Sequence, residues 1–427
     1  MRTKKILAVT LAGIMALSLA ACGGNNSSNS ESGQTDSSKP LTVAIWDNTQ
    51  QPGIAEILSD FTDETGIKTE LQVVPWNEYW TLLESGATGG DMPDVFWMHS
   101  NESQKYMAND ILLDLTDKIA ESDVIDLSKY YKDITELYQL EGKTYAIPKD
   151  YDTIGLWYNK TMFDEAGVDY PDETWTWDTL AEAAKKLTDK EKGQYGFVSA
   201  AANNQDGYYN LIYDFGSEII NDDKTKSGWD NPKTIEAMNW WYDNLVSTVM
   251  PPQRVMAENT SDVLLQSGKA AMVMQGSWMV NAFKQNEYSA KNCDVAVLPM
   301  TKDGTRKTIY NGLGWAAAAS TKNPEGAWKL LEYFGSESTQ KKQAELGVTM
   351  SAYMGTSDSW VDCAPDFRLQ SFLDMTEDMV IRPYSKSTKI WEDYSQETMV
   401  KAYEGQITME EACKDIAAYM NQKLSEE

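Results

Sequence analysis

The residue types that could do chemistry are unevenly represented in this chain of 427 residues. It contains one histidine, His99, against 15 Trp and 22 Tyr. A single imidazole makes any Ser/His/Asp or Cys/His triad depend on His99, and it excludes multi-histidine metal sites and the HExxH helix. Trp and Tyr have an apolar face with a polar group at its edge, which suits cores and hydrated recognition sites alike. The composition therefore favours binding over catalysis.

Acidic residues are the second prominent group. Asp and Glu number 65 against 37 Lys and Arg, a formal charge of −28. With so many carboxylates a catalytic pair is always available, so their number does not separate a hydrolase from a binding protein. Nucleic acids and anionic membranes attract clustered Lys and Arg, and no basic stripe follows residue 5. The charge therefore argues against a nucleic-acid partner.

Two motifs that suggest other chemistry fail on spacing. Gly142-Lys143-Thr144 resembles the end of a phosphate-binding P-loop, but Leu137 occupies the position of the first glycine. Cys293, Cys363 and Cys413 form no CxxC pair and can make at most one bridge. Buried free thiols are the expected state, and neither a metal nor a cofactor is expected.

The elements that must position the aromatic and acidic residues begin with a βαβαβ pattern. Strands are predicted at 41–46, 67–74 and 94–98, with a helix up to Gly66 and a second one at 78–85 closed by Gly86. This alternation predicts an α/β fold with a parallel sheet, in which ligands lie at the carboxyl ends of the strands. Trp46, Trp76 and Trp97 lie at those ends.

A second α/β region follows. A hairpin turn is predicted at 141–143, strands at 153–159, 195–199, 270–274, 295–298 and 316–319, and helices at 178–187, 210–216, 234–247 and 324–334. From residue 366 the chain is predicted to be mostly helical, with a stop at Gly405 and a capping box from Thr408 to Glu411.

The N-terminus resembles a bacterial lipoprotein signal. Arg2, Lys4 and Lys5 precede an apolar run, and Leu19-Ala20-Ala21-Cys22-Gly23 follows it. The resemblance implies a signal peptide at 1–21, lipidation of Cys22, and localisation to the outer face of the cell membrane. A plain signal peptide with an incidental Cys is the alternative. Residues 22–40 are rich in Gly, Ser and Asn and are predicted to be a disordered tether. Without residues 1–21 the formal charge is about −31.

Nine segments match, in order, those of a known family. They are 42–46 (TVAIW), 61–68 (FTDETGIK), 90–97 (GDMPDVFW), 142–148 (GKTYAIP), 157–160 (WYNK), 174–177 (TWTW), 274–278 (MQGSW), 323–328 (NPEGAW) and 404–408 (EGQIT). Together they resemble the extracellular solute-binding lipoproteins of bacterial ABC sugar importers, the maltose-binding type known as family 1. The match covers nearly the whole chain after the signal.

The resemblance implies a two-lobed α/β fold of the type II periplasmic-binding-protein kind, with the ligand cleft between the lobes. The N-terminal lobe is expected to comprise residues 41–150 plus 310–350, and the C-terminal lobe 151–309 plus 351–427. The implied function is capture of a carbohydrate, interpreted as an oligosaccharide, and its delivery to the membrane permease of an ABC importer. The protein is expected to be a monomer and not an enzyme.

The matched segments also carry candidate ligand contacts. Trp46, Asp47 and Gln50 come at the end of the first strand; alternatively Trp46 is in the core and only Asp47 or Gln50 faces the cleft. Ser100 and Asn101 occupy positions that contact sugar in the family. The maltose binder has an acid and a base there, which puts maltose itself in doubt.

Other candidates lie farther along the chain. Asp152 matches a hinge acid that binds hydroxyls, and Trp278 matches a stacking aromatic residue of the second lobe. Trp315 lies beside Gly312, where backbone and ligand can approach closely, or else packs between the lobes. The remaining candidates are Trp76, Trp97, Tyr208, Arg382 and Trp391. His99 is interpreted as a structural, hydrogen-bonded residue, and Tyr195, Phe215, Trp240 and Trp241 as core residues.

Two other functions remain open at this point. A secreted glycoside hydrolase also has a Trp-rich cleft with paired carboxylates. A binder of a non-sugar solute, such as a polyamine or a peptide, is compatible with acidic and aromatic side chains because cations bind to aromatic faces.

Overall fold

The computed structural model describes residues 39–427. The predicted signal peptide, Cys22 and all but the end of the predicted tether lie outside the described residues. The strands are β1 Leu41–Ile45, β2 Thr69–Val73, β3 Val95–Met98, β4 Gln139–Leu140, β5 Lys143–Thr144, β6 Ala146–Pro148, β7 Ile154–Asn159, β8 Met272–Gly276, β9 Cys293–Ala296, β10 Thr308–Tyr310, β11 Gly314–Ala317 and β12 Met379–Ile381.

Helices cover much of the rest of the described chain. They are α1 Gln51–Thr65, α2 Trp76–Gly89, α3 Ser100–Ala108, α4 Thr116–Glu121, α5 Lys132–Glu136, α6 Lys160–Ala166, α7 Trp177–Leu187, α8 Tyr209–Asp214, α9 Pro232–Trp241, α10 Gln253–Met256, α11 Ser261–Gln266, α12 Val280–Gln285, α13 Glu287–Asn292, α14 Pro324–Gly335, α15 Glu337–Glu345, α16 Gln370–Asp374, α17 Thr388–Tyr403 and α18 Met409–Ser425. Within residues 39–427, no helix combines the length and the apolar character needed to cross a membrane.

The larger sheet has the strand order β2-β1-β3-β11-β6. Strand β1 pairs in parallel with β2 and β3, as the βαβαβ pattern predicts. Strand β11, for which the sequence predicts no orientation, is antiparallel to both β3 and β6, so the complete sheet is mixed. The physical reason for the antiparallel pairing is connectivity. Strand β11 follows both β3 and β6 by more than 150 residues, so no single helical crossover joins it to either of them.

The smaller sheet is antiparallel, in the order β8-β7-β9. Residues 149–153 link β6 of the larger sheet to β7 of the smaller sheet, and residues 311–313 link β10, which lies outside both sheets, to β11 of the larger sheet. Strand β10 also pairs in parallel with β12. The predicted hairpin is confirmed as β4 and β5, with φ of 80° at Gly142 in its turn.

Several predicted helix ends are confirmed. Gly66 closes α1 with φ of 74°, the Thr176 side chain caps α7, and Thr408 and Glu411 form the capping box of α18. Gly86 does not end α2, which continues to Gly89. A Cβ on Gly86 would lie 2.9 Å from the Asp91 carbonyl oxygen, so this glycine serves close packing instead.

Two further expectations need correction. Residues 195–199 form isolated bridges, Tyr195 with Ala270 and Val198 with Val273, instead of a regular strand. Cys293 and Cys413 are buried free thiols, as expected, but the free thiol of Cys363 is only half-buried.

The larger sheet is buried on both faces. Val43, Ile45 and Trp97 pack into one apolar cluster with residues of α1 and α14, whereas Ala44 and Phe96 belong to the other cluster. A strand covered on both sides shows a continuous apolar run and no alternation. This is why the run in β3 does not indicate which of its side chains could reach a ligand.

Candidate functional site

A cavity of about 430 Å³ opens where loops from both sheets meet. Its aromatic lining is Trp46, Trp76, Tyr151 and Trp278; its carboxylates are Asp47, Asp150, Asp152 and Asp206; its amides are Gln50, Asn203, Gln205 and Asn311; and His99, Ser277, Leu313 and Thr349 complete it. Cavities of this size hold small-molecule ligands.

Strand ends place most of this lining. Trp46 follows β1, Trp76 begins α2 after β2, and His99 follows β3, so three adjacent parallel strands present their carboxyl ends to the cavity. Ser277 and Trp278 follow β8 of the smaller sheet. The segments 149–153 and 311–313 add residues as well: 150–152 from the first, and Asn311 and Leu313 from the second.

The first aromatic wall is a set of edge-to-face contacts. The Trp46 and Trp76 ring centroids are 5.0 Å apart at 88°, and Trp76 is 5.5 Å from the His99 ring. Trp46 also packs edge-on against Trp97 at 4.9 Å. Trp76 is 40% exposed. The wall therefore presents one exposed ring, Trp76, against the half-buried rings of Trp46 and His99.

Trp278 provides the second aromatic wall. Its ring folds back over the end of β8, where a Cβ on Gly276 would lie 1.9 Å from a ring carbon. Only glycine permits this approach at position 276. Because Trp278 follows the smaller sheet and Trp46 the larger one, the two indoles reach the cavity from different sheets.

Two of the four carboxylates are fully engaged within the protein. Asp47 accepts hydrogen bonds from the Thr49 backbone N–H at 2.8 Å, the Thr49 hydroxyl at 2.7 Å and Gln50 Nε2 at 3.0 Å. Asp150 pairs with Lys149 Nζ at 2.5 Å and accepts from the Leu313 backbone N–H at 2.7 Å. These two groups shape the loops that carry them.

The other two carboxylates have amide donors only. Asp152 Oδ1 accepts from Gln205 Nε2 at 2.7 Å and from the Asn311 backbone N–H at 3.0 Å. Desolvation raises the pKa of Asp152 well above its ordinary value, with Asp150 adding to the effect. Asp206 accepts from Asn203 Nδ2 at 2.8 Å, and desolvation raises its pKa to about 6.

His99 is held in the wall by two amides. Its Nδ1 lies 2.7 Å from Asn101 Oδ1, and its Nε2 lies 3.3 Å from Asn311 Nδ2. A neutral ring protonated at Nδ1 satisfies both of these contacts, whereas the Asn101 backbone N–H, 3.2 Å from Nδ1, matches the tautomer protonated at Nε2. Desolvation, with a further contribution from Arg382, lowers the pKa of His99 to about 3. The imidazole is therefore an uncharged, structural group at neutral pH, in keeping with the sequence interpretation.

Six of the fourteen predicted ligand-binding residues line this cavity: Trp46, Asp47, Gln50, Trp76, Asp152 and Trp278. Asn101 lies behind the wall and supports His99. Gly312 lies between two lining residues, and a Cβ there would be 2.2 Å from the Asp150 carbonyl oxygen. Gly312 therefore allows the segments 149–153 and 311–313 to pass close to each other.

The structure places three other predicted contacts around the larger sheet, away from the cavity lining. Trp97 and Trp315 are paired residues of β3 and β11, and both side chains are fully buried. Trp315 stacks flat on Phe334 of α14 at 3.9 Å, which is a packing role. Ser100 is buried at the start of α3. These positions correct the sequence expectation for all three residues.

Three more are buried in the remaining part of the chain. Tyr208 packs against Tyr209 and Trp229, and Trp391 donates its indole N–H to Ser385 Oγ at 3.0 Å. The Nη2 of Arg382 donates to both carboxylate oxygens of Glu392, at 2.9 and 2.7 Å. None of these side chains lines the cavity, and the Nε and Nη1 of Arg382 are buried without a hydrogen-bond partner among the described residues.

The sequence analysis missed several lining residues: Asp150, Tyr151, Asn203, Gln205, Asp206, Ser277, Asn311, Leu313 and Thr349. One signal was available for Asn203, Gln205 and Asp206, because residues 203–206 are a run of four polar side chains that only Gly207 separates from an aromatic pair. Asn311 lies next to a glycine already singled out. Thr349 has no local signal, since it follows α15 and reaches the cavity through tertiary packing.

A second cavity, of about 460 Å³, lies elsewhere in the described chain. The start of α7, α9 and the loop at 300–303 form it, and its lining includes Trp240, Phe215, Asp214, Lys233 and Lys302. None of the predicted ligand-binding residues lines it. Among residues 39–427, no group of three or more His, Cys, Asp or Glu side chains is placed to bind a metal ion.

Two known proteins are similar to this chain in sequence over most of their length. A galactooligosaccharide-binding protein of Bacillus subtilis is 26% identical over 362 residues, which is 80% of this chain and 79% of that protein. A maltodextrin-binding protein of the same organism is 26% identical over 344 residues, 77% of this chain and 76% of that protein.

Solved structures show the same fold. An ABC substrate-binding protein from Listeria monocytogenes, in complex with cycloalternan, superposes with a TM-score of 0.82 at 24% identity, over 90% of this chain and 99% of that one. Maltose-bound MalE3 of T. maritima gives a TM-score of 0.75 at 20% identity, over 90% and 99%. These neighbours confirm the predicted two-lobed α/β fold.

The family itself is identified by a sequence model of the bacterial extracellular solute-binding proteins, which matches residues 46–341. The matched region covers more than half of the chain and includes the residues that follow β1, β3 and β8. This chain belongs to the bacterial extracellular solute-binding protein family.

Proposed function

We propose that this protein captures a carbohydrate, interpreted as an oligosaccharide, outside the cell and delivers it to the permease of an ABC importer. The observation that carries the proposal is the meeting of Trp76 and Trp278, which follow different sheets, with carboxylates and amides in one cavity of about 430 Å³. Indole faces stack on the C–H patches of pyranose rings, and planar polar groups bind pairs of hydroxyls. The relatives named above carry the same kind of ligand in their names.

The proposed lobes are residues 41–150 plus 310–350 and residues 151–309 plus 351–427. In support, every strand of the larger sheet falls in the first set and every strand of the smaller sheet falls in the second. The connections at 149–153 and 311–313 then act as hinge segments. A ligand that touches both lobes stabilises the closed form by its differential affinity.

The proposed ligand contacts are the six predicted residues that line the cavity, together with Asn203, Gln205, Asp206 and Asn311. Thermal-shift screening of the mature protein over a panel of mono- and oligosaccharides, followed by calorimetry on each hit, tests the proposal. Binding of at least one saccharide without turnover is expected. Silence toward all sugars with binding of spermidine or a peptide contradicts it, and so does hydrolysis of a labelled oligosaccharide.

The proposed location is the outer face of the cell membrane, with the signal peptide at 1–21, a lipid on Cys22 and the tether at 22–40. The support comes from sequence alone. The Cys22→Ala variant is expected to lose incorporation of labelled palmitate and to move from the membrane fraction to the medium. Retention of label in this variant contradicts the anchor. The protein is proposed to act as a monomer without catalytic activity.

A further inference from the structure

We propose that this cavity selects saccharides that carry a protonated amine, in preference to uncharged and to acidic saccharides. The inference rests on the proposed function, carbohydrate capture, and concerns the ligand class of the same site. It comes from an excess of hydrogen-bond acceptors and negative charge in the cavity wall that the protein itself does not balance.

The four carboxylates of the cavity differ in whether a cation of the protein is paired with them. Asp150 has the ammonium of Lys149 at 2.5 Å. Neither Asp152 nor Asp206 forms an ion pair with any residue in the described part of the chain. Both hydrogen bonds to Asp152 go to its Oδ1, from Gln205 and Asn311, so its Oδ2 is left for a ligand.

A buried amide provides an independent observation. Asn311 lines the cavity and is 1% exposed, yet its Oδ1 has no hydrogen-bond partner among the described residues. Its Nδ2 lies 3.3 Å from His99 Nε2. A buried, unsatisfied acceptor destabilises the free protein, and a ligand that donates a hydrogen bond removes that cost.

The nearby cations do not compensate for the two carboxylates. Lys149 is committed to Asp150, and the Nη2 of Arg382 is committed to both oxygens of Glu392. Arg382 lowers the pKa of Asp152 and of Asp206, but desolvation outweighs it in both cases. His99 is uncharged at neutral pH. No Lys or Arg is part of the cavity lining in residues 39–427.

The matching ligand group is an ammonium. It donates three hydrogen bonds, accepts none and supplies the missing positive charge. Trp76 and Trp278 can hold such a cation over a ring face. A hydroxyl can donate to the same acceptors but leaves the charge unbalanced, and a carboxylated or phosphorylated sugar meets repulsion from two unpaired carboxylates.

The preference should depend on pH. Desolvation and Asp262 raise the pKa of Asp206, whereas Asn203 and Arg382 lower it, with a result of about 6. Asp152 faces Asp150, which raises its pKa, and Arg382, Gln205 and the Asn311 N–H, which lower it. Below pH 6 Asp206 is increasingly protonated, and the raised pKa of Asp152 acts in the same direction, so the attraction for an ammonium falls.

Matched sugars test the proposal. The mature chain is titrated calorimetrically at pH 6.5 and pH 5 with glucose, N-acetylglucosamine and glucosamine, with the corresponding galactose and mannose sets, and with cellobiose, diacetylchitobiose and chitobiose. At pH 6.5 the amine is expected to bind at least tenfold tighter than its hydroxyl counterpart in at least one set, and the ratio is expected to shrink at pH 5.

Two variants report on the carboxylates. In Asp206→Asn and in Asp152→Asn the ratio of amine to hydroxyl affinity is expected to fall at least fivefold. The same change at Asp169, an exposed carboxylate outside the cavity, is the control and should leave the ratio unchanged. An unchanged ratio in both cavity variants overturns the assignment.

The outcomes separate the two proposals. If the protein binds saccharides but every one it binds is uncharged or acidic, or if hydroxyl members equal the amines in every set, the amine preference is overturned and carbohydrate capture stands. If no saccharide binds, carbohydrate capture itself fails.

Discussion

The two cavities are similar in volume, about 430 and 460 Å³, but they differ in construction. The first cavity is lined by side chains that follow strands of both sheets and by side chains from the segments 149–153 and 311–313. The second is formed by α7, α9 and one loop, and its carboxylates are accompanied by Lys233 and Lys302. Lys302 pairs with Asp178 at 2.6 Å. The binding site is therefore recognised by the strand ends that meet there and by carboxylates without a paired cation, and not by the volume of the cavity.

The largest expected effect concerns acid. His99 lies in the first cavity, and the second contains no histidine. Its pKa is about 3 in the folded protein against 6.5 when unfolded, so the unfolded chain binds the extra proton first as pH falls below 6.5. Stability from this group is therefore lost between pH 6.5 and 3, at up to about 1.4 kcal/mol per pH unit.

The measurement uses the fact that the chain has a single histidine. Its imidazole NMR signal needs no assignment by mutagenesis and should stay in the neutral form down to about pH 4, a value expected from a pKa of about 3. Asp152 and Asp206, whose pKa values are raised, contribute stability of the opposite pH dependence, so urea melts should compare wild type with His99→Gln. A mid-point near 6.5 in the folded protein would contradict the prediction.

The second largest expected effect is a loss of sugar affinity when an aromatic residue is removed from the first cavity but not when one is removed from the second. Trp278→Ala removes a stacking face from the first cavity and should weaken sugar binding by about 2–4 kcal/mol, the range of a central aromatic contact. Trp240→Ala makes the same change in the second cavity and should leave the dissociation constant unchanged. Calorimetry with the best sugar of the panel measures both. Equal losses would mean that the comparison is wrong.

The third prediction concerns the close approach of the segments 149–153 and 311–313. A Cβ on Gly312 would be 2.2 Å from the Asp150 carbonyl oxygen, so Gly312→Ala should lower the free energy of unfolding by about 1–3 kcal/mol. Gly89→Ala is the matched control, because no atom lies within 4 Å of its added Cβ. It should be neutral or slightly stabilising in α2. Denaturant titration decides, and an unaffected Gly312 variant would show that the connections can separate.

The smallest effect belongs to the second cavity. Lys302 is 82% exposed and pairs with a partly exposed Asp178. Exposed ion pairs contribute roughly 0–1 kcal/mol, so Lys302→Ala should change stability by less than about 0.5 kcal/mol and leave sugar affinity intact. A clear loss of affinity would make the second cavity part of the binding site.

The sequence predicted the fold better than the side-chain directions. The strand and helix order through α2 follows from apolar periodicity and glycine stops. Trp46 and Trp76 follow from their positions after predicted strands, and Trp278 follows from the family resemblance. Trp97 and Trp315 were misplaced because β3 and β11 are buried on both faces, so nothing in their apolar runs distinguishes one face from the other.

The polar half of the cavity was largely missed for a different reason. Asn203, Gln205 and Asp206 lie in an irregular turn before α8, where no periodicity exists to be detected. Asn311 and Asp150 meet because two connections far apart in sequence pass each other, and that contact exists only in the folded chain. A single sequence carries no signal for such a pairing.

The position of β11 has a consequence for how the chain can be made. This strand lies between β3 and β6 in the larger sheet, although both of its neighbours precede it by more than 150 residues. Until synthesis passes residue 317, β3 and β6 have open edges and the sheet cannot be completed. Pairings of such long sequence separation form slowly. We expect nascent chains shorter than this to remain protease-sensitive, which would keep the protein in a threadable state for export.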